Sequence, residues 1–154
     1  MLFRNHDGSY SDPKRYPRLS LAQPATHDHT PLAALWAECW ANIDAGRNVE
    51  HNRAELRRFM AFAGMPNEEP AREYADRLHE AFVQAVLQSN SWLAIFQITD
   101  VLAQAERFNT PGSTSQANWS HRLPQTVKQL DQQRAVAEKS EMFSRAVRES
   151  GRAA

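Results

Sequence analysis

Cys39 is the chain's single cysteine, so no intrachain disulfide can form, a usage that suits a reducing compartment. Charge of one sign is not in excess either. Lys plus Arg number 18 and Asp plus Glu number 18, with no basic block, which removes the electrostatic reason to expect nucleic acid. Apolar runs are far too short for a membrane span. The opening Met1-Leu2-Phe3-Arg4-Asn5-His6-Asp7-Gly8 contains no apolar signal core. The expectation is a cytoplasmic protein without membrane contact. Asn118-Trp119-Ser120 fits the glycosylation sequon, but with no secretion signal it reads as chance. A Gly-x-Ser-x-Gly elbow, a phosphate-binding Walker loop and a dinucleotide fingerprint are all missing. His27, Asp28 and His29 have no second ligand cluster, and His6, Asp7 and His51 are isolated, so the reading is no metal.

What is present, in 154 residues, suffices for one domain with a core. Residues 1–18 are polar and turn-rich and read as a loop. Leu19-Ser20-Leu21-Ala22 alternates like a short strand. Thr30-Pro31 reads as the start of a helix, with a hydroxyl cap and proline at the first helical position. Leu32, Leu35, Trp36, Cys39, Trp40 and Ile43 then share one helical face, and Gly46 ends the helix. A second helix is expected from Asn52, with Glu55 as a capping-box partner, to Gly64. A third is expected from about Pro70 to Ser89, with Tyr74, Leu78, Phe82 and Val86 inside. The continuous run Trp92 to Ile98 predicts a strand buried on both faces. A polar loop follows from Phe108 to Pro124, then a helix from Gln125 to about Glu149. Two strands separated by helices argue for a parallel βα arrangement. Two strands make no parallel sheet that is stable alone, so the pattern points to a piece of something larger.

Thr26-His27-Asp28 follows the first strand and precedes a helix. Functional groups in parallel α/β folds sit at that end of a strand, so Asp28 and His27 are candidates for a pocket. The competing reading is that Asp28 or Thr30 simply caps the helix. Cys39, Trp36 and Trp40 read as core. Trp119 stands in a polar loop beside Asn118, His121 and Arg122. There it could stack on a sugar ring or pin the loop to the body.

Four blocks together resemble the 4-α-glucanotransferases, the amylomaltases or disproportionating enzymes. The first is Tyr16-Pro17 with Leu19-Ser20-Leu21, Thr26-His27-Asp28, Pro31-Leu32-Ala33 and Trp36. The second is Gln97-Ile98-Thr99-Asp100-Val101-Leu102, and the third Asn109-Thr110-Pro111-Gly112-Ser113. The fourth is Asn118-Trp119-Ser120-His121-Arg122-Leu123-Pro124. They stand in family order and cover about residues 3–145. Thr99, where a carboxylate is expected, Ser113, where threonine is expected, and Ser120 and His121, in often basic places, depart from the pattern.

The resemblance implies an α/β fold, the C-terminal portion of a (β/α)8 TIM barrel. This chain would contribute strands seven and eight with their helices, and be mostly helical with two short strands. Residues 1–154 would then be a single incomplete domain. It implies retaining transfer of α-1,4-glucan segments between maltooligosaccharides, with no cofactor. Asp28 matches the carboxylate that stabilises the transition state. The nucleophile and the acid/base belong to the fourth and fifth strands, which this sequence lacks. His27, Asn109, Pro111, Gly112, Asn118 and Trp119 match substrate-binding positions. The expected partners are an α-1,4-glucan and the missing N-terminal portion of the barrel. On this reading the chain alone is inactive. The alternatives are a helical glucan-binding or partner-docking module without catalysis, and a plain helical scaffold.

Overall fold

Leu21–Ala22 (β1) and Leu93–Ala94 (β2) lie side by side in parallel, Leu21 beside Leu93 and Ala22 beside Ala94. The pairing extends on both sides, with the Trp92 N–H donating to the Arg18 carbonyl at 2.8 Å and the Ile95 N–H to the Ala22 carbonyl at 3.0 Å. The computed structural model in which this is seen describes residues 3–123 and 126–152, and not the side chain of Asp131. Readings placed on Met1, Leu2, Pro124 and Gln125 fall outside the described residues.

Three helices fill the crossover: α1 (Leu32–Asp44), α2 (Val49–Phe62) and α3 (Asp76–Leu87). After β2 come the short α4 (Ile98–Val101), then α5 (Val127–Asp131) and α6 (Arg134–Glu149). A parallel pair needs such a crossover, and the helices form because each carries an apolar stripe. Trp36, Cys39, Leu56, Phe59, Phe82 and Val86 from the three crossover helices, with Tyr16 and Ala22, make the main core. The indole N–H groups of Trp36 and Trp40 both donate to the Ala71 carbonyl, at 3.1 and 2.9 Å, so these rings pack and also fasten the α2–α3 connection. Cys39 is core as expected, and burial pushes its thiol up to about 11. On the other side of α3, Val83 and Leu87 meet Ala146, Phe143 and Val147 of α6. Lys139–Asp76 and Arg145–Glu80 ion pairs rim that contact.

Glycine closes α1 and α2 in the same way. Gly46 and Gly64 take left-handed φ of 69° and 76°. The next residues, Arg47 and Met65, donate back to Asn42 and Met60, both at 2.8 Å, which satisfies carbonyls left open by the ending helix.

Several expectations need correction. Pro31 itself takes the cap position of α1, with no side-chain cap, and the Thr30 hydroxyl accepts from Arg107 instead. α2 begins at Val49, not Asn52. The buried Asn52 amide donates to the Arg47 and Asn48 carbonyls, at 3.1 and 3.0 Å, and Glu55 is turned to partners in the 3–16 loop. α3 begins at Asp76, not Pro70, with Tyr74 packed beside it against Trp36 and His79. The last helix is two, α5 with a Thr126–Gln129 capping box and α6. The largest departure is the run 92–98. Only Leu93–Ala94 is strand, and Trp92, Leu93, Ile95 and Ile98 are 44–68 % exposed. Among the described residues β2 pairs with β1 alone, and no strand lies along its other edge.

Two polar features organise the remainder. Glu55, 6 % exposed, accepts from Arg4, Tyr10 and Arg58, which holds the loop over α2. Arg152 bridges the carbonyls of Leu87, Ser89, Ser91 and Trp92, clasping the α3–β2 turn from the end of α6. Arg152→Met is expected to lower unfolding stability by about 2 kcal/mol, since several charge-assisted hydrogen bonds are lost at once. An unchanged urea midpoint would mean that water replaces the guanidinium without loss.

Candidate active site

The segment after β1 and the loop after α4 both lie at the C-terminal ends of the parallel strands, and they meet. Pro24 and Pro31 bound the first segment, where the chain turns to begin α1. Inside it the Thr26 hydroxyl lies 2.6 Å from His29 Nδ1 and accepts from the Asp28 N–H at 3.3 Å, while the His29 N–H donates to the Thr26 carbonyl at 2.9 Å. This turn leaves the Asp28 and His27 side chains outward, 45 % and 54 % exposed.

Asp28 caps no helix. Its Oδ1 accepts from Asn109 Nδ2 at 2.5 Å, and its Oδ2 lies 3.4 Å from His27 Nε2. A carboxylate gripped on one oxygen and flanked by imidazole on the other has a fixed direction yet remains open to solvent. It can accept hydrogen bonds from hydroxyls or face a developing positive charge.

The second loop is braced by Asn118. Its Oδ1 accepts from the Thr110 N–H at 3.0 Å, and its Nδ2 donates to the carbonyl and hydroxyl of Ser113, each at 3.0 Å. The turn Pro111-Gly112 that it encloses is exposed, with Gly112 at φ 74° and open space where a Cβ would stand. Trp119 takes a left-handed φ of 63°. Its N–H donates to the Phe108 carbonyl at 2.8 Å, while its ring stays 59 % exposed, 4.9 Å from the His27 ring. The main-chain bond closes the 108–124 loop on itself, while the exposed ring meets the other segment at His27.

The structure thus brings His27, Asp28, Asn109 and Trp119 together and sets Pro111, Gly112 and Asn118 in the same loop. Sequence reading missed Arg107. Its guanidinium donates to the Asp28 carbonyl and the Thr30 hydroxyl, and its Nε to the Asn109 carbonyl. Only its place two residues before Asn109 hinted at this. Among the described residues no group of three or more His, Cys, Asp or Glu comes together to hold a metal, and no helix is long and apolar enough to cross a membrane.

Comparison with known proteins gives one consistent picture. The family described as 4-alpha-glucanotransferase matches residues 1–129. The 4-alpha-glucanotransferase of Chlamydia muridarum (strain MoPn / Nigg) is 29 % identical over 133 residues, covering 80 % of this chain and 22 % of that protein. The 4-alpha-glucanotransferase of Chlamydia trachomatis serovar D is 26 % identical over 138 residues, with the same 80 % and 22 % coverage. In fold, the chain is similar to amylomaltase from Corynebacterium glutamicum, with TM-score 0.69 and 18 % identity over 92 % of this chain and 24 % of that one. Amylomaltase from Streptococcus agalactiae in complex with acarbose superposes with TM-score 0.53 and 21 % identity, over 87 % of this chain and 23 % of that one. The chain therefore spans less than a quarter of the length of the proteins it matches.

Proposed function

The chain belongs to the 4-alpha-glucanotransferase family, and we propose that it supplies the last two strands of that family's barrel together with Asp28, a carboxylate that steadies the transition state of α-1,4-glucan transfer. The observation that carries the reading is the meeting of Asp28, His27, Asn109 and Trp119 at the C-terminal ends of two parallel strands. Residues 1–154 are on this reading one incomplete domain, strands seven and eight with their helices.

Retaining transfer requires one carboxylate to attack the anomeric carbon and one carboxylic acid to protonate the leaving oxygen. Those two groups belong to strands outside these residues. Asp28 has a third task. Gripped by Asn109, it accepts hydrogen bonds from ring hydroxyls that strengthen as the ring flattens and gains positive charge, so it binds the transition state more tightly than the ground state. His27 donates to a neighbouring hydroxyl, and the exposed face of Trp119 stacks on a pyranose. Pro111 and Gly112 form a low rim along which the glucan lies, and Asn118 acts by holding that rim.

The exposed side of β2 favours a second element of the same reading, a partner. Trp92, Leu93, Ile95 and Ile98 leave apolar side chains exposed around a strand edge that is unpaired among the described residues. The remaining portion of the barrel is the occupant that fits it. A helical glucan-binding module without catalysis is the competing function.

Incubated with maltotriose, the chain alone is expected to form no longer maltooligosaccharides. Loss of nucleophile and acid together removes on the order of 10⁴-fold or more in rate. Calorimetric titration with acarbose is expected to show weak binding that falls about 10-fold or more in Trp119→Ala, the loss of one stacked ring. Clear transfer by the chain alone would overturn the assignment of the missing groups. Acarbose binding indifferent to both Trp119→Ala and Asp28→Asn would overturn the site.

A further inference from the structure

One side chain ties together the two loops of the candidate site. Arg107 stands just before the Asn109 loop, and all three of its nitrogens are used. Nε donates to the Asn109 carbonyl at 2.8 Å, Nη1 to the Thr30 hydroxyl at 3.1 Å and Nη2 to the Asp28 carbonyl at 2.9 Å. Its partners are two backbone carbonyls and a hydroxyl, none of them charged. The cation is therefore engaged as a rigid planar fork and not as half of an ion pair.

The choice of partners is what matters. Asp28 and Asn109 are joined through their side chains at 2.5 Å, and Arg107 grips the main-chain carbonyl of each. The two residues are thus bracketed from both ends. Fixing the main chain of a surface turn narrows the directions its carboxylate can take. Thr26 and His29 order the turn locally, but they make no bond to the second loop. The hydrogen bonds between the loops run through Arg107 and the Asn109–Asp28 pair, beside the His27–Trp119 ring contact.

We propose that Arg107 is the positioning residue of this site: its guanidinium sets the Asp28 carboxylate in register with the loop that carries Asn109 and Trp119. The role rests on the reading of Asp28 given above, but the register itself is measurable without any sugar.

In the 154-residue chain, the His27 and Trp119 rings, 4.9 Å apart, should show an NMR contact, and the Trp119 amide, bonded to the Phe108 carbonyl, should exchange slowly. Arg107→Met is expected to abolish the ring contact and to speed exchange at His29 and Trp119 by about 10-fold or more, with exchange at Cys39 in α1 unchanged. Arg107→Lys, a single ammonium without the fork, is expected not to restore either. Thr30→Val, which removes one acceptor and leaves the core intact, is expected to shift both readouts the same way by less. Where acarbose binds, Asp28→Ala combined with Arg107→Met should weaken it no more than the worse single change. A retained ring contact and unchanged exchange in Arg107→Met would overturn the proposal, as would full restoration by lysine. Failure of acarbose to bind at all would count against the glucan reading alone.

Discussion

Asp100→Asn is expected to raise the stability of the chain at pH 7 by about 1–3 kcal/mol, an unusual sign for a change at a buried site. Asp100 is 3 % exposed in the turn of α4, and among the described residues neither carboxylate oxygen has a well-formed hydrogen bond. Burial pushes its pKa up to about 6 from 3.8, with the Gln97 and Leu32 backbone N–H groups opposing that rise only in part. A raised acid pKa means that the folded state prefers the neutral form. The associated stability is fully present below about pH 4 and is lost as pH rises through about 6. Above that, the protein carries a buried, poorly solvated anion, and asparagine removes the charge at nearly the same volume.

The neighbouring His79 has the opposite sign. It is 1 % exposed, with Nδ1 3.3 Å from the Tyr74 hydroxyl and Nε2 without a hydrogen-bond partner among the described residues. Burial, helped by Lys139, lowers its pKa to about 4 from 6.5. Its contribution is present above 6.5 and is lost as pH falls toward 4. Between pH 4 and 6 the two groups offset each other. The advantage of Asp100→Asn should therefore be largest at pH 7 and vanish near pH 4. Urea unfolding of both proteins at pH 4, 5, 6 and 7 reads this directly. Equal stability at pH 7 would sink the account.

Glu55→Gln is expected to cost about 2–4 kcal/mol, the largest loss among single changes considered. Glu55 accepts from Tyr10 at 2.9 Å, from Arg58 at 3.1 Å and from both terminal nitrogens of Arg4. Burial alone would raise its pKa, yet the hydrogen bonds from Arg4, Tyr10 and Arg58 outweigh burial and leave it lowered. Its stabilisation is accordingly present above the ordinary value of 4.5 and is lost as pH falls through the lowered one. A neutral amide leaves two guanidinium groups facing each other without an anion. Arg4→Ala should cost less, because Arg58 and Tyr10 remain. A thermal scan in which the two variants fall together would contradict this ranking.

These cases also explain what could be read in the sequence. The parallel pairing of β1 and β2 was legible, because short apolar segments divided by amphipathic helices admit few arrangements. The Gly46 and Gly64 ends were legible because glycine there has a local backbone cause. Helix starts were less so. Asn52 and Glu55 have the spacing of a capping box, but their real partners are carbonyls one turn back and a loop some 50 residues away. The run 92–98 has the composition of a doubly buried strand, and composition does not say whether the covering strand lies in the same chain. At the site, Thr26-His27-Asp28 was legible as either cap or carboxylate. The side chains that hold Asp28 away from the helix start, Asn109 and Arg107, lie 79–81 residues from it, and only Asn109 stood in a block that sequence reading singled out.

The clasp made by Arg152 has a consequence during synthesis. Everything it grips, from Leu87 to Trp92, leaves the ribosome some 60 residues before it does. The helical hairpin of α1 and α2 can collapse early from local contacts, whereas the pairing of Leu21 with Leu93 closes a long loop and is slow to form. Until Arg152 emerges, the turn that presents β2 has four carbonyls without their guanidinium. The nascent chain is therefore most open to wrong pairing, or to capture by a chaperone, between the synthesis of Trp92 and that of Arg152.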